Sequence, residues 1–200
     1  MSRRTQAERT DETTARLVGA ARRLFGQHGY ADTSIDAVAA LAGVTKGAAY
    51  HHFGGKPALF RAAFTGELAE VAAALERAGA EEEDPLAALR RGCRTFLEHC
   101  LDPGFRRVVL LDAPSVLGWE TVREIEYDHM LRVLLGGMRR AAEGGRIAGG
   151  NVPARAQLVF GSICEGGMLL ARSTDPEADL PLIAAELDRL LEALRPSVGG

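Results

Sequence analysis

The sequence predicts an all-α protein of about nine helices, and three observations support that prediction. Apolar residues recur at the spacing of helices over most of the 200 residues. No segment shows the strict alternation of apolar and polar residues that is typical of a half-buried strand. The periodic segments are separated by glycine, proline or short polar residues, which end one helix or cap the next.

The first helix is expected over residues 12–28. Gly29 follows it and is a natural helix stop, because glycine adopts the left-handed conformation without a steric penalty. Thr33 is then expected as the N-cap of a second helix over residues 34–41, with Asp36 at the third helical position as a short-armed capping box.

A helix-turn-helix is predicted from the residues that follow. Ala39, three further residues and Gly43 have the spacing of this motif, since a small residue lets two helices cross closely and glycine makes the tight turn. Thr45 can cap the third helix, over residues 46–52. Six more helices are expected over residues 56–78, 85–100, 105–111, 119–143, 154–172 and 178–195.

The distribution of charge suggests a local anionic partner. The formal net charge is −3, yet residues 1–60 carry eight basic and five acidic residues, whereas residues 61–200 carry sixteen and twenty-two. A basic N-terminal part on an acidic remainder favours one anionic contact surface over a uniformly basic molecule. The two lysines of the chain, Lys46 and Lys56, both fall in or beside the helix-turn-helix.

The cysteines and the hydropathy pattern indicate a reduced, cytoplasmic protein. Cys93, Cys100 and Cys164 are odd in number and show no CxxC spacing, so small buried thiols are the expected role, and a redox role stays open. No apolar run reaches the ~18 residues that a membrane helix needs, and the polar N-terminal residues do not form a secretory signal. No cofactor is expected.

The third helix is expected to present a surface suited to DNA. Its outer residues combine hydrogen-bond donors with side chains slim enough to approach a major groove: Thr45, Lys46, Gly47, Ala48, Tyr50, His51 and His52. Lys46 is the main candidate for a base contact, and guanine is the base that a lysine fits. The adjacent histidines could be metal ligands by type, but neighbouring helical side chains point about 100° apart, so no metal site is expected.

Lys56 supplies a separate argument for an anion. It is expected at the N-terminus of the fourth helix, where a cation opposes the helix dipole at roughly a few tenths of a kcal/mol. A bound phosphate would remove this conflict. Lys56 is therefore predicted to hold the DNA backbone.

The segment from Ser34 to Phe60, with VTKGAAYHHFGGKPALF at residues 44–60, resembles the tetracycline-repressor (TetR) family of bacterial transcription regulators. The resemblance implies a three-helix DNA-binding head over residues 1–55 and a helical ligand-binding and dimerisation body over residues 56–200. It also implies a homodimer that binds a palindromic DNA operator and is released by a small-molecule effector, most simply a repressor. No membrane contact is expected.

The resemblance also implies roles for individual residues. Base-facing positions fall on Thr45, Lys46, Gly47 and Ala48; backbone-contacting positions fall on Tyr50, His51, His52 and Lys56, with Thr33 near the phosphates. Ala49 departs from the family, where a larger aliphatic is usual, and this weakens packing of the recognition helix by ~2 kcal/mol. Because Gly47 and Ala48 offer few hydrogen bonds, specificity is expected to depend partly on backbone contacts and DNA shape.

Aromatic and polar residues in the second half predict a small-ligand cavity, although they equally suit an ordinary helical core. The helix breaks at Pro114 and Gly118 predict a hinge beside them. The residues expected to line the cavity are Phe96, Phe105, Asp112, Trp119, Tyr127 and Met130.

Two apolar stripes on the last two helices predict a dimer interface, with packing inside one chain as the alternative. Such helices pair with their copies into a four-helix bundle, and a two-fold dimer sets its heads ~34–36 Å apart on DNA. Gly161 and Gly166 are expected to allow close crossing. The stripes are Phe160, Ile163, Gly167 and Leu170 on one helix, and Ile183, Leu187, Leu190, Leu191 and Leu194 on the other.

Two other functions stand as alternatives. One is a ligand- or partner-binding helical protein whose head no longer reads a specific site, which the sparse Gly47 and Ala48 surface suggests. The other is a helical enzyme that uses Asp112, His129 or Glu165. No nucleophile elbow, phosphate-binding loop or zinc pattern accompanies these three residues, so no enzymatic activity is expected.

Overall fold

The computed structural model describes residues 6–196, and within that range every regular element is helical. Nine helices result when consecutive segments are joined: α1 (Gln6–Asp32), α2 (Ile35–Ala42), α3 (Lys46–Phe53), α4 (Lys56–Ala80), α5 (Pro85–His99), α6 (residues 103–117), α7 (residues 119–143), α8 (Val152–Arg172) and α9 (Pro176–Glu192). The all-α prediction is confirmed. Of these described helices, none has the length and apolarity needed to cross a membrane.

Helices α6 and α7 each contain a π-helical segment, at Arg106–Asp112 and Tyr127–Leu131 respectively. Such segments are rare in proteins and occur frequently at functional sites. The predicted break at Pro114 is wrong, because Pro114 lies in the first turn after the π-helical segment of α6, where its missing N–H is tolerated. The break falls instead at Gly118, which has φ 79°.

Polar caps define the ends of the short helices. The Ser34 hydroxyl accepts a hydrogen bond from the Ala37 N–H at 3.1 Å and begins α2. The Thr45 hydroxyl accepts one from the Ala48 N–H at 3.2 Å and begins α3, which confirms Thr45 as an N-cap. Gly43 ends α2 with φ 64°, the conformation that the predicted tight turn requires.

The prediction that Thr33 caps α2 is wrong by one residue. Thr33 is only 4% exposed, and its hydroxyl donates to the backbone oxygen of Gly29 at 2.8 Å and to that of Leu24 at 3.2 Å. Gly29 has φ 79° and ψ 171°, so the regular turns of α1 stop there as the sequence predicts. Thr33 therefore seals the end of α1 instead of starting the next helix.

The helices form two compact units. The first runs up to Glu67 and includes Pro103–Val122; the second comprises Leu68–Asp102 and the chain from Arg123 onward. The division into head and body at residue 55 stays a prediction about function. Packing assigns α6 and the first half of α4 to the same unit as the helix-turn-helix.

Aromatic rings and one close backbone approach hold the first unit together. The Phe25 and Phe60 rings meet edge to face, with centroids 5.0 Å apart, and the Tyr30 ring lies 5.2 Å from that of Phe60. A Cβ atom on Gly26 would lie 3.0 Å from the Gly104 Cα, so only glycine lets α1 and α6 approach this closely. Residues Phe25 and Phe60 are fully buried at the centre of this core.

Helices α5, α7, α8 and α9 supply the core of the second unit. Leu97, Met138, Leu170 and Leu191 are fully buried there. A Cβ atom on Gly166 would lie 3.2 Å from side-chain carbons of both Leu97 and Ile183, which confirms that a glycine permits close crossing at this point. The α8 backbone is thereby drawn towards α5 and α9.

The Asp112 side chain of α6 accepts a backbone hydrogen bond at the end of α1. We predict that loss of this side chain destabilises the protein. The Tyr30 N–H donates to Asp112 Oδ2 at 2.8 Å in a half-buried setting. Asp112→Ala leaves that N–H without its acceptor and should lower the free energy of unfolding by about 1–3 kcal/mol. Asp112→Asn retains an oxygen acceptor and should lose less. Urea denaturation measures both, and an alanine variant as stable as the wild type would contradict this role.

Candidate nucleic-acid interface and cavity

Helix α3 presents most of its length to solvent. Gly47 is exposed, and a Cβ atom built there would meet no atom within 4 Å. Tyr50 is 44% exposed, whereas Ala49 is 1% exposed and forms the buried side of the helix. Ala49 is thus the one fully buried residue of α3, Ala48, His52 and Phe53 are half-buried, and the opposite face of the helix is exposed.

Lys46 begins α3 and is paired with an acid of α2. Its Nζ lies 2.8 Å from Asp36 Oδ2, and the side chains of Lys46 and Asp36 are 62% and 57% exposed. The hydrogen bond from Lys46 to Asp36, with the attraction between the two charges, raises the pKa of the Lys46 ammonium. The ammonium also lies 5.8 Å from the centroid of the Tyr50 ring.

Arg16 of α1 fastens the end of α2, a role that sequence reasoning missed. Its guanidinium donates to the backbone oxygens of Ala42 and Gly43, the second at 3.1 Å. A cation is favoured at a helix C-terminus because the last carbonyl groups carry partial negative charge. The only signal in the sequence is an arginine off the apolar stripe of α1, and its partner lies 26 residues away.

Lys56 is compensated within the chain, which corrects the argument made from the helix dipole. Its Nζ donates to the Ala31 backbone oxygen at 3.0 Å and lies 4.4 Å from the centroid of the Tyr30 ring. The ammonium therefore meets a carbonyl group at the end of α1 and an aromatic face, which attracts cations. No phosphate is needed to relieve it, and its contact with DNA stays a prediction.

The two histidines of α3 have different surroundings. His52 Nδ1 lies 3.1 Å from the Thr14 hydroxyl, and this contact joins α3 to α1. His51 is exposed, and its ring is 6.0 Å from that of His52 at an interplanar angle of 80°. Among the described residues, no group of three or more potential ligands could hold a metal ion.

The burial of Thr33 also bears on its predicted place near the phosphates. Its hydroxyl is committed to two backbone oxygens inside the first unit, and its side chain does not reach the surface. The neighbouring Ser34 is exposed and stands at the start of α2. Ser34 rather than Thr33 is therefore the hydroxyl residue at the surface on this side.

A cavity of about 510 Å³ lies in the second unit, between α4, α5, α7 and α8. Two of the predicted residues, Phe96 and Met130, line it. Most of the wall is apolar, with carboxylates and one guanidinium among the lining residues: Leu75, Glu76, Gly79, Ala80, Glu82, Glu83, Pro85, Ala88, Leu89, Gly92, Cys93, Phe96, Met130, Val133, Leu134, Gly137, Arg140, Phe160 and Ile163.

The other four residues predicted to line the cavity do not line it. Phe105, Asp112 and Trp119 belong to the first compact unit, and Trp119 is 67% exposed. Asp112 instead accepts a hydrogen bond from the Tyr30 N–H at the end of α1. Tyr127 packs its ring 6.2 Å from that of Phe160, and its hydroxyl accepts a hydrogen bond from Arg123 at 3.1 Å.

Arg123 is the centre of a half-buried polar cluster in the second unit. It donates to Glu126 Oε2 at 3.1 Å, and its guanidinium lies 4.8 Å and 5.2 Å from the centroids of the Tyr127 and Phe160 rings. Burial raises the pKa of the Glu126 carboxyl, which the positive charge of Arg123 partly offsets. Phe160 therefore has the cavity on one side and this ion pair in contact with its ring.

The three cysteines are free thiols in buried or half-buried settings. Burial raises the pKa of both Cys93 and Cys164 to about 12, and Cys100 is fully buried. Because the thiolate is the reactive form, thiols with such pKa values do not react readily near neutral pH. The expected structural role of these residues agrees with their surroundings.

The predicted dimer stripes mostly form the core of the second unit. Six of the nine residues are buried within the chain: Phe160, Ile163, Gly167, Leu170, Leu187 and Leu191. Ile183 and Leu194 are half-buried, and Leu190 is exposed. In each of these two helices, the most apolar stripe faces the core of the same chain, as is typical of an amphipathic helix.

A second apolar row lies on the outer side of α8 and α9. Leu158, Leu169, Leu182 and Leu190 are 75%, 50%, 66% and 52% exposed. Three of these leucines, all but Leu182, line a shallow groove with Gly161, where an added Cβ atom would meet nothing within 4 Å. Sequence periodicity could not separate this outer row from the inner one.

The capped helix α3 on a glycine turn, packed on α2 and joined to α1, defines a helix-turn-helix protein of the DNA-binding class. Two family profiles match the chain: "Bacterial regulatory proteins, tetR family" over residues 17–63, and "Tetracyclin repressor-like, C-terminal domain" over residues 86–194. The chain belongs to the TetR family of DNA-binding transcriptional regulators. That membership makes it a regulator rather than an enzyme.

Individual relatives agree with this assignment. The HTH-type transcriptional regulator TtgR of Pseudomonas putida is 40% identical over 111 residues, which cover 54% of this chain and 52% of the relative. AcrR of Shigella flexneri is 36% identical over 113 residues, covering 55% and 51%. The chain thus spans about half the length of the curated relatives it matches.

Solved structures extend the similarity to nearly the whole chain. A TetR-family transcriptional regulator from Pectobacterium atrosepticum is 35% identical with a TM-score of 0.82, covering 96% of this chain and 98% of that one. RolR in complex with resorcinol is 19% identical with a TM-score of 0.70, covering 97% and 100%. The second similarity shows the fold alone.

Proposed function

We propose that the protein is a cytoplasmic, homodimeric repressor that binds a palindromic operator and leaves it when a small-molecule effector occupies the cavity of the second unit. The observation that carries the DNA-binding part is the exposed outer face of α3. Thr45 caps this helix, and Lys46, Gly47 and Tyr50 stand open to solvent on it. Because Gly47 has no side chain and Ala48 a small one, the helix can approach base edges closely.

The residues of this face divide into two kinds of contact. We assign base contacts to Thr45, Lys46, Gly47 and Ala48, with Lys46 as the main hydrogen-bond donor. We assign contacts with the DNA backbone to Ser34, Tyr50, His51, His52 and Lys56, because phosphate oxygens accept from hydroxyl, imidazole and ammonium groups. His52 also holds α3 to α1 through Thr14, so it supports the helix as well.

Loss of Lys46 should weaken operator binding. Lys46→Ala removes the main base donor, and we expect the affinity for the protein's own upstream DNA to fall by about 1–3 kcal/mol, or roughly 5- to 150-fold. A gel shift at moderate salt measures it, with Arg139→Ala as a control that removes one charge from the second unit. Binding without sequence preference, or unchanged by Lys46→Ala, would favour the alternative of a head that no longer reads a site.

The cavity is the site that we assign to the effector. Its volume of about 510 Å³ lies within the range of small-molecule sites, and its wall contains Phe96, Met130 and Phe160. We therefore propose an effector that is mostly apolar. Resorcinol in RolR and stearoyl-CoA in FadR of Bacillus subtilis are named ligands of proteins with this fold, and they differ widely in size. The residues that line the cavity of this chain therefore determine which effector it binds.

A larger side chain in the cavity should weaken ligand binding without loss of stability. Gly92 of α5 lines the cavity, and a Cβ atom there would meet nothing within 4 Å, so a longer side chain extends into open space. Gly92→Met should lower the affinity for the apolar dye N-phenylnaphthylamine and raise the free energy of unfolding by about 0.5–1 kcal/mol, since glycine disfavours helix.

The matched control for this experiment is Gly19→Met. Gly19 lies in α1 of the first unit, and an added Cβ atom there also meets nothing within 4 Å. It should gain stability in the same way and bind the dye as the wild type does. Dye binding that survives Gly92→Met, by fluorescence titration, would place the ligand elsewhere.

We assign the dimer interface to the outer row of α8 and α9, with a second copy of the chain as its occupant. The exposed leucines form an apolar row with Ser162, Glu165 and Glu186 beside it, and Gly161 permits close approach of a partner helix. Two helices from each copy give the four-helix bundle that such a face can close. A two-fold dimer would present two copies of α3 to the two halves of a palindrome.

A charge in the outer row should dissociate the dimer. Leu190→Arg places a guanidinium in the apolar groove, and we expect monomers in sedimentation velocity at micromolar concentration together with loss of operator binding. Leu111→Arg is the control, because Leu111 is a 50% exposed leucine of the first unit. A wild-type monomer, or a dimer unaffected by Leu190→Arg, would contradict the assignment.

A further inference from the structure

Three cations surround the helix-turn-helix in the described part of the first unit, and each has a partner inside the chain. Arg16 donates to the carbonyl groups that end α2, and Lys56 donates to the Ala31 carbonyl group. Lys46 alone of the three is paired with an ionised side chain, that of Asp36. The residue assigned the main base contact is therefore the one whose charge is already balanced.

The position of Asp36 is set by its own helix. It lies in the first turn of α2, where the helix dipole stabilises a negative charge. Lys46 lies in the first turn of α3, where the dipole disfavours a positive charge. The pair thus relieves Lys46 of its unfavourable location. Both side chains are more than half exposed, so a partner can reach the ammonium beside Asp36.

Asp36 distinguishes between the two kinds of acceptor that DNA offers to Lys46. An ammonium group has three N–H donors, so it can keep Asp36 and still donate to O6 and N7 of a guanine, which carry no formal charge. A phosphate at the same ammonium must lie beside the Asp36 carboxylate, and the two negative charges repel each other. The carboxylate therefore penalises a phosphate contact of Lys46 more than a guanine contact.

We propose that Asp36 is a specificity-determining residue that directs Lys46 away from phosphates and towards a guanine edge. This inference rests on the proposed function, since it presupposes that α3 reads an operator. Asp36 need not touch DNA in this role, and it acts as a positioning residue for Lys46. Its main effect falls on non-specific complexes, in which phosphates are the acceptors available to a lysine.

The test is the ratio of operator affinity to random-sequence affinity in Asp36→Asn. We expect binding to random duplex DNA to tighten by about 3- to 10-fold. The slope of log K against log[salt] should also become steeper by ~0.9 per head, because Lys46 gains one phosphate contact. Operator affinity should change by less than about twofold, so the ratio falls. Glu120→Gln is the control: it removes one charge from the same unit but is not part of the Lys46 pair.

A double-mutant cycle separates this role from a general loss of negative charge. In Lys46→Gln the further change Asp36→Asn should leave the affinity ratio unaltered, because the group that Asp36 positions is absent. Asp36→Ser repeats the measurement if the asparagine variant folds poorly. An equal rise in both affinities, no change in either, or the same fall in the ratio with and without Lys46 would overturn the inference.

The same experiment keeps the two proposals apart. The wild-type ratio tests the proposed function, because a protein that reads no site shows no preference for operator DNA. The variant ratios test Asp36, because they compare proteins that differ only in the carboxylate. A wild type with a clear preference that Asp36→Asn preserves would reject the role of Asp36 and retain the proposed function.

Discussion

Contacts at the end of α1 join this helix to α4 and α6 in the first unit. Gly29 turns the chain out of the helix with a positive φ, and the Thr33 hydroxyl donates back to the Gly29 carbonyl group. Asp112 accepts from the Tyr30 N–H, and Lys56 covers both the Tyr30 ring and the next carbonyl group. Residues from α4 and α6 thus satisfy a helix end that would otherwise leave polar backbone groups unpaired.

This arrangement determines how the helix-turn-helix is presented. Because Thr33 is sealed against α1, the following serine becomes the cap of α2 and faces outward. Arg16 then fastens the far end of α2, and the contact between Thr14 and His52 holds α3. Helix α1 therefore contacts both ends of the motif. Helix α3 is thus attached by its buried Ala49 and by the polar contact of His52 with Thr14.

The features predictable from sequence are local ones. The glycine stop at Gly29, the turn at Gly43 and the cap at Thr45 each depend on a few neighbouring residues, and all three are present. The sequence predicts Thr33 as the cap of α2 and the structure has Ser34 there, because the two hydroxyl residues are adjacent and only tertiary packing decides which is buried. The predicted place of Trp119 in the cavity is wrong for a similar reason, since closeness in sequence to Met130 does not put it in the same packing unit.

On α8 and α9 as well, sequence periodicity predicts an apolar stripe but not what that stripe packs against. An amphipathic helix shows one strong apolar stripe, and here that stripe belongs to the core of the chain itself, as Leu170 and Leu191 show. A dimer surface must then be a weaker row on the opposite side, interrupted by polar residues. Leu158 and Leu169 are separated by eleven positions, three helical turns, so they do share a face. Such a row stands out only after the core is known, because burial first accounts for the other leucines.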